Sequence, residues 1–171
     1  KSLIEGLSAY HSTQYSQAND LGDFREQKAG TIYHGEAYLR PLVKEHPETG
    51  RKSLFLGRHA FGIPGLPRKQ SKALLKELLD FATSEPTRVY THSWRKGDLL
   101  LWDNRALLHR ACAYDYSKPR VMIATRVAGD PASELSYYPS DNAANAGRAA
   151  LARELALIKK ERQYLGEMPA A

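Results

Sequence analysis

Between residues 88 and 128 the apolar and polar residues alternate along several short stretches, and this constrains the fold more than any other feature of the chain. RVYTHSW (88–94) sets Val89, Thr91 and Ser93 against Tyr90, His92 and Trp94, the period of two that belongs to a strand. LLLW (99–102) reads as a buried strand. RALLHRA (105–111) puts Arg105, Leu107, His109 and Ala111 on one face, and RVMIATRVA (120–128) does the same for Arg120, Met122, Ala124 and Arg126. RKGD (95–98) suits a hairpin-type turn, and Asp103 with Asn104 tolerates the backbone angles of a tight one. Short strands at such close spacing predict a mainly β protein with flanking helices, a sandwich or barrel of the jelly-roll kind.

The flanks read differently. Residues 2–10 fit a short helix with Leu3, Ile4 and Leu7 on one side, and residues 12–36, polar and rich in Gly, Gln and Asp, read as a long loop. Pro47 to Gly50 predicts a turn and Lys52 to Leu56 a strand, after which GIPGLP interrupts regular structure. Leu74, Leu75, Leu78, Leu79 and Ala82 recur at helical spacing and predict a helix over about 68–83. Beyond residue 131 the character changes. SYYPSDNAANAG reads as a loop, and Leu151, Leu155, Ile158 and Arg162 mark a helix over about 147–165. A lone amphipathic helix usually covers its own core, which is favoured here over contact with a partner subunit and leaves a homo-oligomer open. The expected organisation is one domain over 1–130, with a loop insert at about 12–40, and a C-terminal extension over 131–171.

Composition narrows the function classes. With 42% hydrophobic and 26% charged residues, the chain has enough apolar side chains to fold and no need to be disordered. The longest dense apolar run, LLLW, is far too short to span a bilayer, so no membrane partner is expected. A single cysteine, Cys112, permits no internal disulfide and fits a reducing, cytoplasmic setting. The net charge of +6 could suggest nucleic acid, but the basic residues are scattered and often sit beside acids, as in KEHPETGRK and KKER. An appetite for anionic small molecules is the plainer reading. The chain opens on KSLIEGL without an initiator methionine, as a fragment of a longer protein would.

Two residues stand out chemically. His109 sits on a predicted strand, where an imidazole serves either as a ligand to iron, zinc or copper or as a hydrogen-bonded core residue. Arg120, on the next strand, offers a guanidinium fork that wants a carboxylate, either of a bound diacid or of an internal acid such as Glu36 or Asp103. A non-haem iron site also needs a His-x-Asp or His-x-Glu pair, and one such triplet, His34-Gly35-Glu36, lies in the polar loop. A cupin-like centre of His34, Glu36 and His109 is the less favoured way to assemble these donors.

HPETGRKSLFLGRHA, then GLP with LLKELLDFAT, then W-x-x-GDLLLWDNRALLHRA, then R-x-M at 120–122 and Gly-Asp at 129–130, resemble the TauD/TfdA family of Fe(II)- and 2-oxoglutarate-dependent dioxygenases, over about residues 2–130. GRHA and GLP look closer to the branch acting on 2,4-dichlorophenoxyacetate than to the taurine branch. The resemblance implies a double-stranded β-helix core of which this chain carries the C-terminal part. It implies Fe(II) bound by His109, 2-oxoglutarate held at its far carboxylate by Arg120, and structural roles for Trp102, Asp103, Asn104 and Arg105 and for the turn of His46, Pro47 and Gly50. Arg58 and His59 border the substrate pocket in that family, and Arg126 shares the face of Arg120, so these three are candidates for substrate binding. The expected activity is hydroxylation of a small anionic aryloxyalkanoate- or sulfonate-like substrate, with release of succinate and CO2. Two departures bear on it. The family's His-x-Asp pair and a threonine that helps hold 2-oxoglutarate fall upstream of residue 1, so these 171 residues alone are expected not to turn over. An arginine that many members carry four residues past the cosubstrate arginine is Ala124 here. The alternative is a non-catalytic fragment or degenerate jelly-roll binding module.

Overall fold

The computed structural model describes residues 2–25, 37–127 and 142–167. Its centre is a three-stranded antiparallel sheet in the order β2-β1-β5, with β1 Ser8–His11, β2 Tyr38–Pro41 and β5 Ala60–Phe61. A hairpin of β3 Val43–Glu45 and β4 Lys52–Leu54 leaves its edge. Three helices complete the set: α1 Thr13–Leu21, α2 Arg68–Thr83 and α3 Asn142–Tyr164.

Each face of the sheet is covered by helix, and the alternation of β1 decides what faces what. Tyr10 packs on one side against a cluster of Tyr15 from α1, Ala37, Phe61, and Leu151 and Ile158 from α3. Ala9 points the other way, into a cluster with Leu42 and Ile63 that Leu74, Leu75 and Leu78 of α2 close off. The helix predicted over about 68–83 is therefore α2, and its leucine stripe is what it buries.

α3 lies along α1 and β2 through Gly147, Leu151, Glu154 and Ile158, a stripe of one residue per turn. The buried Glu154 carboxylate is met by Arg68 Nε at 2.8 Å and Lys72 Nζ at 3.3 Å, and Arg68 also reaches Glu161. At the far end, Arg162 Nη2 donates to the Asn19 carbonyl (2.8 Å), an orphan acceptor in the last turn of α1. The C-terminal helix thus covers the chain's own core.

Several expectations are corrected. Residues 2–10 are not one helix: a 3-10 turn over Ser2–Ile4 leads into β1. The expected long loop from residue 12 begins with α1. Ser12 caps that helix by accepting from the Tyr15 N–H, and Gly22, at φ 66°, ends it with its N–H on the Ala18 carbonyl. His34 and Glu36 lie outside the described residues, as does the loop from 131 to 141.

The largest correction concerns 88–128. Among the described residues none of the stretches 88–94, 99–102, 105–111 and 120–127 is paired into a strand, and a short 3-10 turn occupies Pro86–Arg88. The turns themselves form: Asp98 N–H donates to the Arg95 carbonyl (3.1 Å), and Ala106 N–H to the Asp103 carbonyl (3.2 Å). The protein is therefore not mainly β in its described part, where the three helices hold far more residues than the five short strands. The physical reason is that alternation chooses which side chains face a core, whereas a strand exists only when a neighbour takes up its backbone hydrogen bonds.

Candidate functional site

The tightest polar assembly in the second half of the chain is built around WDNR. Asp103 receives Arg105 as a two-pronged fork, Nε to Oδ1 at 3.0 Å and Nη2 to Oδ2 at 2.8 Å, and its Oδ1 also accepts the Arg105 backbone N–H at 2.8 Å. Trp102 Nε1 donates to Asn104 Oδ1 (2.8 Å). This knot is fastened to the β3–β4 hairpin. Ser53 Oγ donates to the Arg105 carbonyl (2.8 Å), Arg105 Nη1 reaches Glu48 Oε1 (3.2 Å), and His46 Nε2 lies 3.0 Å from Asp103 Oδ2.

His46 explains why that hairpin can receive the knot. Its ring is buried, and Nδ1 accepts the backbone N–H groups of Glu48 (3.2 Å) and Thr49 (3.3 Å). The ring proton must then sit on Nε2, which donates to Asp103. Gly50, at φ 66°, closes the turn with its N–H on the His46 carbonyl (2.8 Å). The Arg105 guanidinium, helped by His46, holds the Asp103 carboxyl well below the usual carboxylate range. Both motifs therefore do structural work, as the sequence implied, and together they fix the point from which the chain sets out toward His109.

His109 itself is exposed, with its ring 5.2 Å from that of Trp102 and tilted by 53°. Arg120 is exposed and its guanidinium lies over the Tyr114 ring, 5.1 Å from the centroid. Among the described residues no carboxylate pairs with Arg120, and the internal acid Asp103 is engaged by Arg105 and His46 instead. Arg126 is exposed on the same extended segment. Arg58 and His59 lie elsewhere, beside α1: Arg58 is 3.9 Å from Asp20, and His59 Nδ1 is 2.8 Å from Ser16 Oγ. The Ser16 hydroxyl proton goes to the Thr13 carbonyl (2.9 Å), so His59 Nδ1 carries the proton of that contact. Burial, reinforced by Arg58, pushes the His59 imidazole down. Among the described residues no hydrogen bond, ion pair or ring contact joins His109 to Arg120, or either of them to Arg58 or His59.

Sequence reasoning overlooked His11. Its ring packs 5.3 Å from Phe55, its Nε2 is buried with no hydrogen-bond partner, and burial followed by Arg40 and His59 pushes its pKa down to about 3. Nothing in the sequence reading marked it, since residues 2–10 read as a helix; only the strand β1 puts His11 on the same face as the buried Ala9, two residues before it.

As for a metal, among the described residues no group of three or more His, Cys, Asp or Glu side chains comes together. His109 offers one imidazole with both ring nitrogens open, which fits a single ligand and not a complete centre.

The buttressed WDNR turn is thus followed by an exposed histidine and by an arginine that no carboxylate among the described residues holds. The family model described as "Taurine catabolism dioxygenase TauD, TfdA family" matches residues 1–126, and the chain belongs to that family. It is 50% identical over 139 residues to the (S)-phenoxypropionate/alpha-ketoglutarate-dioxygenase of Sphingobium herbicidovorans, a match covering 78% of this chain and 48% of that protein. It is also 50% identical over 122 residues to the alpha-ketoglutarate-dependent 2,4-dichlorophenoxyacetate dioxygenase of a Burkholderia species, covering 70% of this chain and 39% of that one. Among solved structures, that of AAD-2 in complex with Mn(II) and N-oxalylglycine superposes with a TM-score of 0.62 at 38% identity, over 70% of this chain and 46% of that chain. The chain spans about half the length of the curated relatives it matches. No helix among the described residues is long and apolar enough to cross a membrane.

Proposed function

We propose that this chain is the C-terminal part of an Fe(II)- and 2-oxoglutarate-dependent dioxygenase that hydroxylates a small anionic substrate of the aryloxyalkanoate or sulfonate kind. The observation that carries the reading is the family match across residues 1–126, which takes in the WDNR knot, His109 and Arg120 together. In the complete protein the stretches 99–102, 105–111 and 120–128 are strands of a jelly-roll core, and the knot on the hairpin aims the second of them.

His109 would be one ligand of the iron; among the described residues no group of three or more candidate ligands comes together, so a complete set calls for donors from the rest of the fold. Arg120 supplies a fork for the far carboxylate of 2-oxoglutarate, a role open to it because no carboxylate among the described residues holds it and its contact there is with the Tyr114 ring. The bound metal and its cosubstrate supply the oxidising power for the C–H bond, with succinate and CO2 as products. Arg58, His59 and Arg126 are candidate contacts to the anionic end of the substrate. For His59 the role requires the protonated imidazolium, whose Nε2–H can donate to an anion, since Nδ1 is engaged by Ser16.

The test uses a full-length polypeptide that joins residues 1–171 to the other half of the fold. With Fe(II) it releases succinate from 2-oxoglutarate, His109→Ala abolishes the release, and Arg120→Ala raises the 2-oxoglutarate concentration needed for half-maximal rate. Turnover unaffected by either substitution refutes these roles.

A further inference from the structure

The family model ends at residue 126, and α3 lies wholly beyond it. α3 is nevertheless firmly anchored. Arg68 of α2 holds Glu154 through Nε and Glu161 through Nη1 and Nη2, and Gly147 lets the helix come down onto Ala37. α1, by contrast, is nine residues long and buries only Tyr15, Ser16 and Ala18. A helix of that length does not hold its shape in water unaided. On one side its support is α3. Tyr15 packs among Leu151 and Ile158 and stacks on Phe61 (4.9 Å between ring centres), and Arg162 Nη2 donates to the Asn19 carbonyl (2.8 Å). Gly22 makes room for that guanidinium, since a Cβ on it would stand 3.1 Å from Arg162 Nη1. On the other side α1 meets residues 58 and 59. Ser12 N–H donates to the His59 carbonyl (2.9 Å), Ser16 Oγ takes the His59 Nδ1 proton (2.8 Å), and Asp20 faces Arg58 at 3.9 Å.

We infer that α3 is a positioning element for Arg58 and His59: it fixes α1, with Arg162 holding the far end, and α1 in turn sets where those two side chains stand. The inference rests on the dioxygenase reading above only for what Arg58 and His59 bind. The relay is short. Asp20 directly follows the residue whose carbonyl Arg162 holds, and Ser16 stands four residues before Asp20, on the same helix face. No charge on α3 has to act on His59 directly. Burial pushes that imidazole down most, Arg58 adds to it, and Asp20 opposes. Each of these influences depends on where α1 lies.

The test follows the His59 imidazole and the α1 amides by NMR in the intact 171-residue chain, with wild type compared to Arg162→Ala. Gly22 and Asp23, whose N–H groups close the end of α1, should exchange roughly fivefold faster or more in the variant. His59 should titrate at higher pH than in wild type, because it loses burial. The ring resonances of His46, held on its own hairpin by Asp103, should stay where they are. Arg162→Lys, which keeps a cationic donor on a long stem, should restore both readings. Gly22→Ala, which crowds the same guanidinium without removing it, should move them as Arg162→Ala does. With Ser16→Ala already in place the link to the ring is cut, and adding Arg162→Ala should move His59 far less. An α1 that exchanges as before, a loosened α1 with His59 unmoved, or a shift that His46 shares overturns the inference. Neither readout needs turnover, so a full-length polypeptide that releases no succinate refutes the dioxygenase reading and leaves this coupling standing.

Discussion

Substituting Gly147 by alanine sets two effects of known sign against each other. In an open helical position the change gains about 1 kcal/mol, since glycine is the poorer helix former. Gly147 is not in an open position. A Cβ built on it lies 2.7 Å from the Ala37 carbonyl oxygen, with Tyr10 ring carbons at 3.4 Å. The first contact is several tenths of an ångström too short, and its partner is backbone that cannot swing aside. To admit the methyl, α3 must lift away from Ala37 and take Leu151 out of the cluster it shares with Tyr15 and Phe61. Overpacking of this kind costs ~1–3 kcal/mol. Taking the upper part of that range because the obstacle is rigid, the net result is a loss of ~1–2 kcal/mol, or roughly 2–8 °C in Tm for a chain of this size. Urea and thermal melts followed by circular dichroism measure it. Ala146→Gly, at the exposed neighbouring position, is the control and loses about 1 kcal/mol through propensity alone. Both substitutions should therefore destabilise although they run in opposite chemical directions. If Gly147→Ala raises the melting point, the close approach of α3 to Ala37 is refuted.

Other consequences are equally direct. Ile158→Ala opens the same cluster from the far end of α3 and should cost about 2–5 kcal/mol, read as a lower urea midpoint; a change under about 0.5 kcal/mol would mean that α3 is not docked there. Asp103 is held ionised by Arg105 and His46, so its folded pKa lies below its unfolded one near ~3.9. Its stabilising share is complete above that unfolded value and fades as pH falls through it. Wild type and Asp103→Asn should accordingly differ in stability at neutral pH and converge in acid, and parallel pH profiles would argue against the knot. His11, with a folded pKa of about 3 against an ordinary 6.5, likewise favours the folded state above the unfolded value and loses that share as pH drops from 6.5 toward 3. His11→Leu should flatten this part of the acid limb, and an imidazole that titrates near 6.5 by NMR would place His11 in water.

How much could be read in advance depended on whether a signal was local. The leucines of α2 announce a helix because their spacing alone makes one apolar face, and the turn at Pro47 to Gly50 because Pro and Gly favour it wherever they stand. α1 went unread because the positions it buries, Tyr15, Ser16 and Ala18, are small or polar, and only the Ser12 cap and Gly22 stop marked its ends. The WDNR motif was legible as a turn, but not as a knot whose other half is His46, fifty-seven residues away from Asp103 in the chain.

By itself, the order of residues determined the family, put forward His109 and Arg120 as candidates, and set the two-residue rhythm of the stretches that carry them. It could do so because rhythm and residue type are properties of the chain alone. Only the three-dimensional structure decided that a sheet covered by α1, α2 and α3 closes its core without those stretches, and that His46 locks Asp103. A strand, unlike a helix, takes its hydrogen bonds from another segment, so whether 99–127 becomes a sheet is settled by what lies beside it and not by its own letters.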